Sequence, residues 1–175
     1  VVVEKFVEGR MTPLTKIMHN INECILQEKG SAHNSLTGIL IRVFDNRIEY
    51  VNVGHSPAFF RNGKGTKCMA IQIDSDNYAE QTEGEIGSKE ITSDYKGIGF
   101  TVAAGDAVIF YSKAFETTAN NQGEPFGQDR IRQAFLQSTG ETAEAKLRYI
   151  LDMFENYTQD NPVNQDLTVI VLQKK

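Results

Sequence analysis

Apolar residues at Leu14, Ile17, Ile21, Cys24 and Ile25 keep the spacing of one helix face, with Thr12-Pro13 as N-cap and first helical residue and Gly30 as the stop. The period then shortens. Residues 38–44 and 48–53 are strand-like runs that meet across Asp45-Asn46-Arg47, a hairpin signal. Gly54-His55-Ser56-Pro57 turns the chain, and residues 58–61 and 66–73 form a second hairpin around Asn62-Gly63. Two hairpins in succession predict a meandering antiparallel sheet. Residues 74–85 are acidic with little apolar content and read as a solvated loop. Residues 98–102 and 107–111 flank Ala104-Gly105-Asp106 as a further strand pair around a turn. Residues 130–137 and 142–157 are helical, the latter carrying Ala143, Leu147, Ile150, Leu151 and Phe154 on one face until Asn161-Pro162 ends it. Residues 167–172 are apolar on both sides, the mark of a central strand. Residues 1–7 fit either a helix tail or a strand. Hairpins flanked by helices predict an α+β fold, with helices packed on antiparallel sheets.

Composition narrows the class. The 175 residues are 40% hydrophobic and 23% charged, enough for a single domain over residues 1–175 without a metal or disulfide staple. Lys and Arg number 18 against 23 acids, a net charge of −5, which disfavours nucleic acid and anionic membranes as partners. Cys24 and Cys68, the two cysteines, follow no pairing pattern and suit buried thiols in a reducing compartment. No apolar run reaches the ~20 residues of a membrane span, so a soluble cytoplasmic domain is expected. The opening Val1-Val2-Val3-Glu4 lacks a Met, as in a piece of a longer protein.

Most chemistries fail on residue type. His19 and His33 fall within and just after the first helix, where a surface role outweighs a general base. There is no Gly-x-Ser-x-Gly elbow, no Cys/His pair at zinc spacing, and Asn62-Gly63-Lys64-Gly65-Thr66 lacks phosphate-loop spacing and reads as a hairpin tip. Carboxylates remain. Metal-ion catalysis on phosphate needs Asp side chains near strand ends, here just after Tyr111 and just before Leu167.

At those positions the chain resembles a known family. Tyr50-Val51-Asn52-Val53-Gly54-His55-Ser56-Pro57 is similar to the Tyr-Val-Asn-Ala-Gly-His-x-Pro signature of the stage II sporulation protein E (SpoIIE) and RsbU-like serine phosphatases, a branch of the metal-dependent PPM (type 2C) protein phosphatases. Ala104-Gly105-Asp106-Ala107-Val108-Ile109-Phe110-Tyr111 resembles that family's Pro-Gly-Asp strand leading into Tyr-Thr-Asp-Gly. Phe115-Glu116 and Asn120-Asn121-Gln122-Gly123-Glu124-Pro125-Phe126-Gly127 resemble Val-Thr-Glu and Asn-x-x-Gly-Glu-x-Phe-Gly, and Gln165-Asp166-Leu167-Thr168 resembles the closing Asp-Asp-hydrophobic-Thr strand. The resemblance implies an antiparallel β-sandwich flanked by helices in α-β-β-α layers, with two Mn or Mg ions activating water against phosphoserine or phosphothreonine. It also implies ligand segments expected upstream of Leu14. Residues 1–11 hold no Asp, so the first third of the usual domain is expected to be missing.

Two departures stand out. The family's Tyr-Thr-Asp-Gly turn reads Tyr111-Ser112-Lys113-Ala114, and its terminal Asp-Asp reads Gln165-Asp166. A unit charge ~4 Å from a divalent ion at an effective dielectric of ~20 is worth about 8 kcal/mol, and Asp to Lys reverses its sign. Gln165 is a poor ligand for a hard cation, which leaves Asp166 as a weak candidate metal ligand. No catalytic residue is assigned; Lys113 and Gln165 mark the degenerate site, with Glu116, Gly54 and His55 as neighbours. Lys113 either projects into solvent or acts as a built-in cation paired with Asp166 or Glu116. His55 is expected to make a structural hydrogen bond, and Asp106 to fix a strand entry through nearby backbone. The resulting expectation is a degenerate phosphatase domain acting as a regulatory or partner-binding module, with no cofactor in this chain. The alternative is an active enzyme dependent on Mn or Mg that dephosphorylates an anti-sigma-factor antagonist or a similar regulator. Expected partners are a phosphoserine or phosphothreonine regulatory protein or an upstream sensor domain. Unpaired sheet edges make a homo-dimer plausible.

Overall fold

A computed structural model describes residues 11–29, 35–71, 85–87, 95–159, 161, 163 and 165–175. The chain forms two compact units, residues 1–55 with 72–101 and residues 56–71 with 102–175. The sequence readings at residues 1–7, at His33 and over most of 74–85 lie outside the described residues.

In the first unit, helix α1 (Leu14–Lys29) is followed by β1 (Gly38–Val43), β2 (Arg47–Val53) and β5 (Ile98–Thr101). The helical spacing puts Leu14 and Met18 into a core with Val51, Val53 and Ile86, and Ile17, Ile21 and Ile25 pack at its margin. The β1–β2 hairpin runs in register from Gly38 opposite Val53 to Val43 opposite Ile48. Its turn closes through the Phe44 N–H donating to Arg47 O at 2.8 Å. Strand β5 pairs antiparallel with the other side of β2, so β2 is the middle strand of three.

The second unit contains β3 (Phe59–Arg61), β4 (Cys68–Ala70), β6 (Ala107–Tyr111), α2 (Lys113–Thr117), α3 (Gly127–Gln137), α4 (Ala143–Thr158) and β7 (Val169–Gln173). Its four strands run in the order β4-β3-β6-β7, all neighbours antiparallel. Every residue of β6 is buried, and Phe59, Ile109 and Tyr111 join Phe115, Phe126, Ile131, Phe135, Ile150 and Phe154 in one core. The Phe115 and Phe154 rings stack at 4.6 Å, holding α2 against α4. Thr142 caps α4 by accepting from the Ala145 N–H at 3.1 Å.

Two buried cations finish α3. Arg61 donates to Leu136 O and Ser138 O at 3.2 and 3.1 Å, and Lys146 donates to Gly140 O at 2.7 Å and to the Gln173 side chain at 3.1 Å. The carbonyls at and beyond a helix C-terminus lack intrahelical donors, and positive charge there also suits the helix dipole. Burial pushes the Lys146 ammonium below its ordinary value, with Arg61 adding to the effect and Glu141 opposing it.

The mixed α+β fold with antiparallel sheets is as expected, and several local readings are corrected. The two hairpins do not form one meander, because β1–β2 and β3–β4 belong to different sheets. Residues 98–102 and 107–111 are not a strand pair: β5 pairs with β2, while β6 pairs with β3 and β7. Strand β7 is terminal in its sheet among the described residues, with Ile170 48% exposed, so it is an edge rather than a central strand. The second hairpin turns through a longer loop than Asn62-Gly63 alone; the Asn62 side-chain carbonyl accepts the Thr66 and Lys67 N–H groups, both at 2.9 Å. The thiols are not both buried. Cys24 is exposed and Cys68 half-buried, and both are unpaired. No helix among the described residues is long and apolar enough to cross a membrane.

Candidate active site

Strand β6 delivers Tyr111 into the core and ends at Ser112, which starts the five-residue helix α2. Ser112 also holds the segment before β7. Its N–H donates to Thr168 O at 2.8 Å, its hydroxyl donates to Asp166 O at 3.0 Å, and its Oγ accepts the Thr168 N–H at 3.0 Å. This backbone stitching brings the two positions singled out in the sequence, Lys113 and Gln165-Asp166, to the same end of the β6–β7 pair.

One turn into α2 lies Glu116, whose carboxylate gathers donors from three segments. Ser56 Oγ donates to Oε2 at 2.7 Å, while Lys113 Nζ and Gln128 Nε2 each reach Oε1 at 3.1 Å. The Glu116 side chain is 14% exposed and that of Lys113 is 63% exposed, so the pair is a half-buried anion capped by a solvated cation. Burial raises the Glu116 pKa, but the hydrogen bonds from Ser56, Lys113 and Gln128 and the Lys113 charge together prevail and hold it below its ordinary value. Of the two partners expected for the Lys113 ammonium, Glu116 is the one it takes. Gln165 and Asp166 are both exposed, and Asp166 meets Ser112 through its backbone carbonyl.

Gly54 and His55 close the first unit. Gly54 takes a positive φ of 63°, which a side chain would resist. The Asn52 side chain clamps the turn from both ends, its Oδ1 accepting the His55 N–H and its Nδ2 donating to His55 O, each at 3.0 Å. Both of these bonds are made by the His55 backbone.

Asp106 occupies the strand entry foreseen for it. Its two carboxylate oxygens accept the N–H groups of Gly63 at 2.7 Å and Ala103 at 2.8 Å, stapling the turn before β6 to the tip of the β3–β4 hairpin. A Cβ at Gly63 would stand 2.9 Å from Ala104 O, so this close approach admits only glycine. In the Asn120–Gly127 motif, Asn120 Oδ1 accepts the N–H groups of Gln122 and Glu124, at 2.9 and 3.0 Å, and Glu124 faces Arg130 at 3.7 Å. These residues build a loop rather than a reaction centre.

Sequence reasoning missed Ser56, Ser112 and Gln128. Ser56 sits in the Gly-His-Ser-Pro turn and carried a signal as part of that motif. Gln128 carried none, because its contact with Glu116 exists only once α3 is packed.

A two-metal centre needs several hard oxygen ligands with negative charge facing one point. Among the described residues no three His, Cys, Asp or Glu side chains are grouped to hold a metal ion. The carboxylate nearest to Lys113, that of Glu116, already accepts from an ammonium, a hydroxyl and an amide. This donor set does not fit the metal pair.

The family model for stage II sporulation protein E (SpoIIE) matches residues 2–175. A comparison with curated proteins gives no match. Solved structures share the fold at low identity. The SiaA-PP2C domain of Pseudomonas aeruginosa superposes with a TM-score of 0.74 at 14% identity, covering 95% of this chain and 62% of that one. The RsbU and RsbW domains of a Mycobacterium tuberculosis protein give 0.67 at 16% identity over 93% of this chain and 42% of that one. The phosphatase domain of the Bacillus subtilis cell-fate determinant SpoIIE, from a manganese-presoaked crystal, gives 0.58 at 15% identity over 96% and 76%. The chain therefore spans less than two thirds of the first two relatives. With the family model matching almost end to end, the chain belongs to the stage II sporulation protein E (SpoIIE) family, and its fold is that of these phosphatase domains.

Proposed function

We propose that this SpoIIE-type domain is a degenerate serine/threonine phosphatase domain that acts as a regulatory or partner-binding module in bacterial signalling. The observation that carries the reading is the Lys113–Glu116 pair at 3.1 Å, where the family resemblance expects a metal-binding carboxylate after β6. Gln165, neutral and exposed, supports it from the other expected ligand position. The Lys113 ammonium offsets the Glu116 charge without a metal, so the end of the β6–β7 pair lacks the negative charge that binds a divalent pair. Its partner, on this reading, is a phosphoserine or phosphothreonine regulatory protein or a sensor domain of the same protein, met in the cytoplasm.

The test is a phosphatase assay on a phosphoserine protein in Mn²⁺, with the chain extended by whatever coding sequence precedes Val1. Release of phosphate at background level is expected. Turnover comparable to that of an active relative assayed in parallel would overturn the reading in favour of a working enzyme dependent on Mn or Mg.

A further inference from the structure

The tip of the β3–β4 hairpin holds Asn62-Gly63, and the fold requires both residues. Asn62 Oδ1 accepts the Thr66 and Lys67 N–H groups, both at 2.9 Å, and its Nδ2 donates to Thr66 Oγ1 at 3.0 Å. Those three bonds need a carbonyl and an NH2 on one carbon, close to the main chain. At position 63 a Cβ would stand 2.9 Å from Ala104 O and 3.0 Å from the Gly105 carbonyl carbon, so only glycine fits. The pairing has a chemical cost. A glycine carries no side chain to shield its nitrogen, and that nitrogen can attack the amide carbon of the asparagine before it.

Every group such an attack must move is held. The Gly63 N–H donates to Asp106 Oδ1 at 2.7 Å, and the other carboxylate oxygen holds the Ala103 N–H at 2.8 Å. Asn62 O, in the same peptide plane as the Gly63 nitrogen, accepts the Gly65 N–H at 2.9 Å, so turning that plane breaks bonds on both sides. We propose that Asn62 is a latent deamidation site kept closed by the Asp106 carboxylate, and that its conversion follows local opening of the hairpin tip rather than unfolding of the domain. In the reaction the Gly63 nitrogen bonds to Asn62 Cγ, the Cγ–Nδ2 bond breaks, and ammonia leaves with the Gly63 amide proton. Water then opens the cyclic imide at either carbonyl, leaving Asp or its β-linked isomer at position 62. Gly63 is exposed, so water has access. The Asp product loses the donor to Thr66 and sets a second carboxylate near Asp106. The β-linked product adds a carbon to the backbone beside Arg61, which ties the hairpin to the end of α3. The proposal is independent of whether the site hydrolyses phosphate.

Peptide mapping that separates Asn, Asp and the β-linked isomer at position 62 tests it, on the full chain incubated at mildly alkaline pH with and without urea. The unfolded chain sets the unhindered rate. The folded wild type should convert at least about tenfold more slowly, the factor that breaking one charge-assisted hydrogen bond imposes. Folded Asp106→Ala should recover most of that factor. Phe154→Leu, which loosens the core around Phe115 and Phe126 at the other end of β6, should convert as slowly as wild type. A further measurement needs no variant: the Gly63 amide should resist hydrogen exchange despite its exposure, because exchange removes the same proton. A folded wild type that converts at the unfolded rate, a freely exchanging Gly63 amide, or a folded Asp106→Ala as slow as wild type overturns the proposal. So does a Phe154→Leu rate that rises to that of Asp106→Ala, since global unfolding would then be the gate.

Discussion

Replacing Ser56 by Ala removes the shortest of the three bonds to Glu116, and replacing Lys113 by Met removes the most exposed. The Ser56 hydroxyl is buried with its residue 9% exposed and meets Oε2 at 2.7 Å, so its loss strips a half-buried carboxylate oxygen of a close donor. A charge-assisted hydrogen bond of this kind is worth about 1.5–3 kcal/mol. Lys113, with its side chain 63% exposed, forms an i,i+3 ion pair on a five-residue helix, the sort of contact that contributes about 0.3–1 kcal/mol. The expected order is therefore Ser56→Ala well above Lys113→Met, by about 1 kcal/mol or more. Urea unfolding at neutral pH measures both. The sign with pH follows from the depressed Glu116 pKa: its stabilising contribution is present above the ordinary value of 4.5 and fades as pH falls through the lower folded value. Glu116→Gln should flatten that acid limb. A Lys113→Met cost larger than that of Ser56→Ala would refute the reasoning, since it would make Lys113 a structural strut rather than a charge substitute.

Asp106→Ala frees the Gly63 and Ala103 N–H groups, bonded at 2.7 and 2.8 Å, and should cost about 2–3 kcal/mol in the same unfolding experiment, with Asp106→Asn retaining part of it. Burial, partly offset by Arg132 and Arg61, pushes the Cys68 thiol up from 9.0 to about 11, so unfolding releases a proton in that window and stability falls as pH rises from 9 toward 11. Two pKa units would be about 2.7 kcal/mol, and the half-exposed thiol reduces that to about 1 kcal/mol. The difference between wild type and Cys68→Ala across that range isolates the effect; an equal slope in both would contradict it.

Local elements were legible and their partnerships were not. Leu14, Ile17, Ile21 and Ile25 announce α1, and the five apolar residues from Ala107 to Tyr111 coincide with β6, because each burial pattern is written in consecutive residues. Nothing local says that Ile98–Thr101 pairs with β2 rather than with the strand six residues on, since strand pairing across a sheet is decided by global packing. Strand β7 misled for a related reason: Val169 and Val171 face the core while Ile170 stays exposed, so an apolar run on both faces did not mean a covered edge. Helix α2 has too few residues for a period to register. At the site, Lys113 and Gln165 were readable only against the family motif. The Glu116 hub draws on Ser56, sixty residues upstream in the chain, and forms only through tertiary packing.

The charge at position 113 is decided most directly by calorimetric titration of the chain with Mn²⁺. The wild-type chain should give no saturable heat, and Lys113→Asp combined with Gln165→Asp should acquire it by restoring two oxygen ligands and removing the competing ammonium. Stoichiometric binding of two manganese ions by the unaltered chain, lost in Asp166→Ala, would contradict the account.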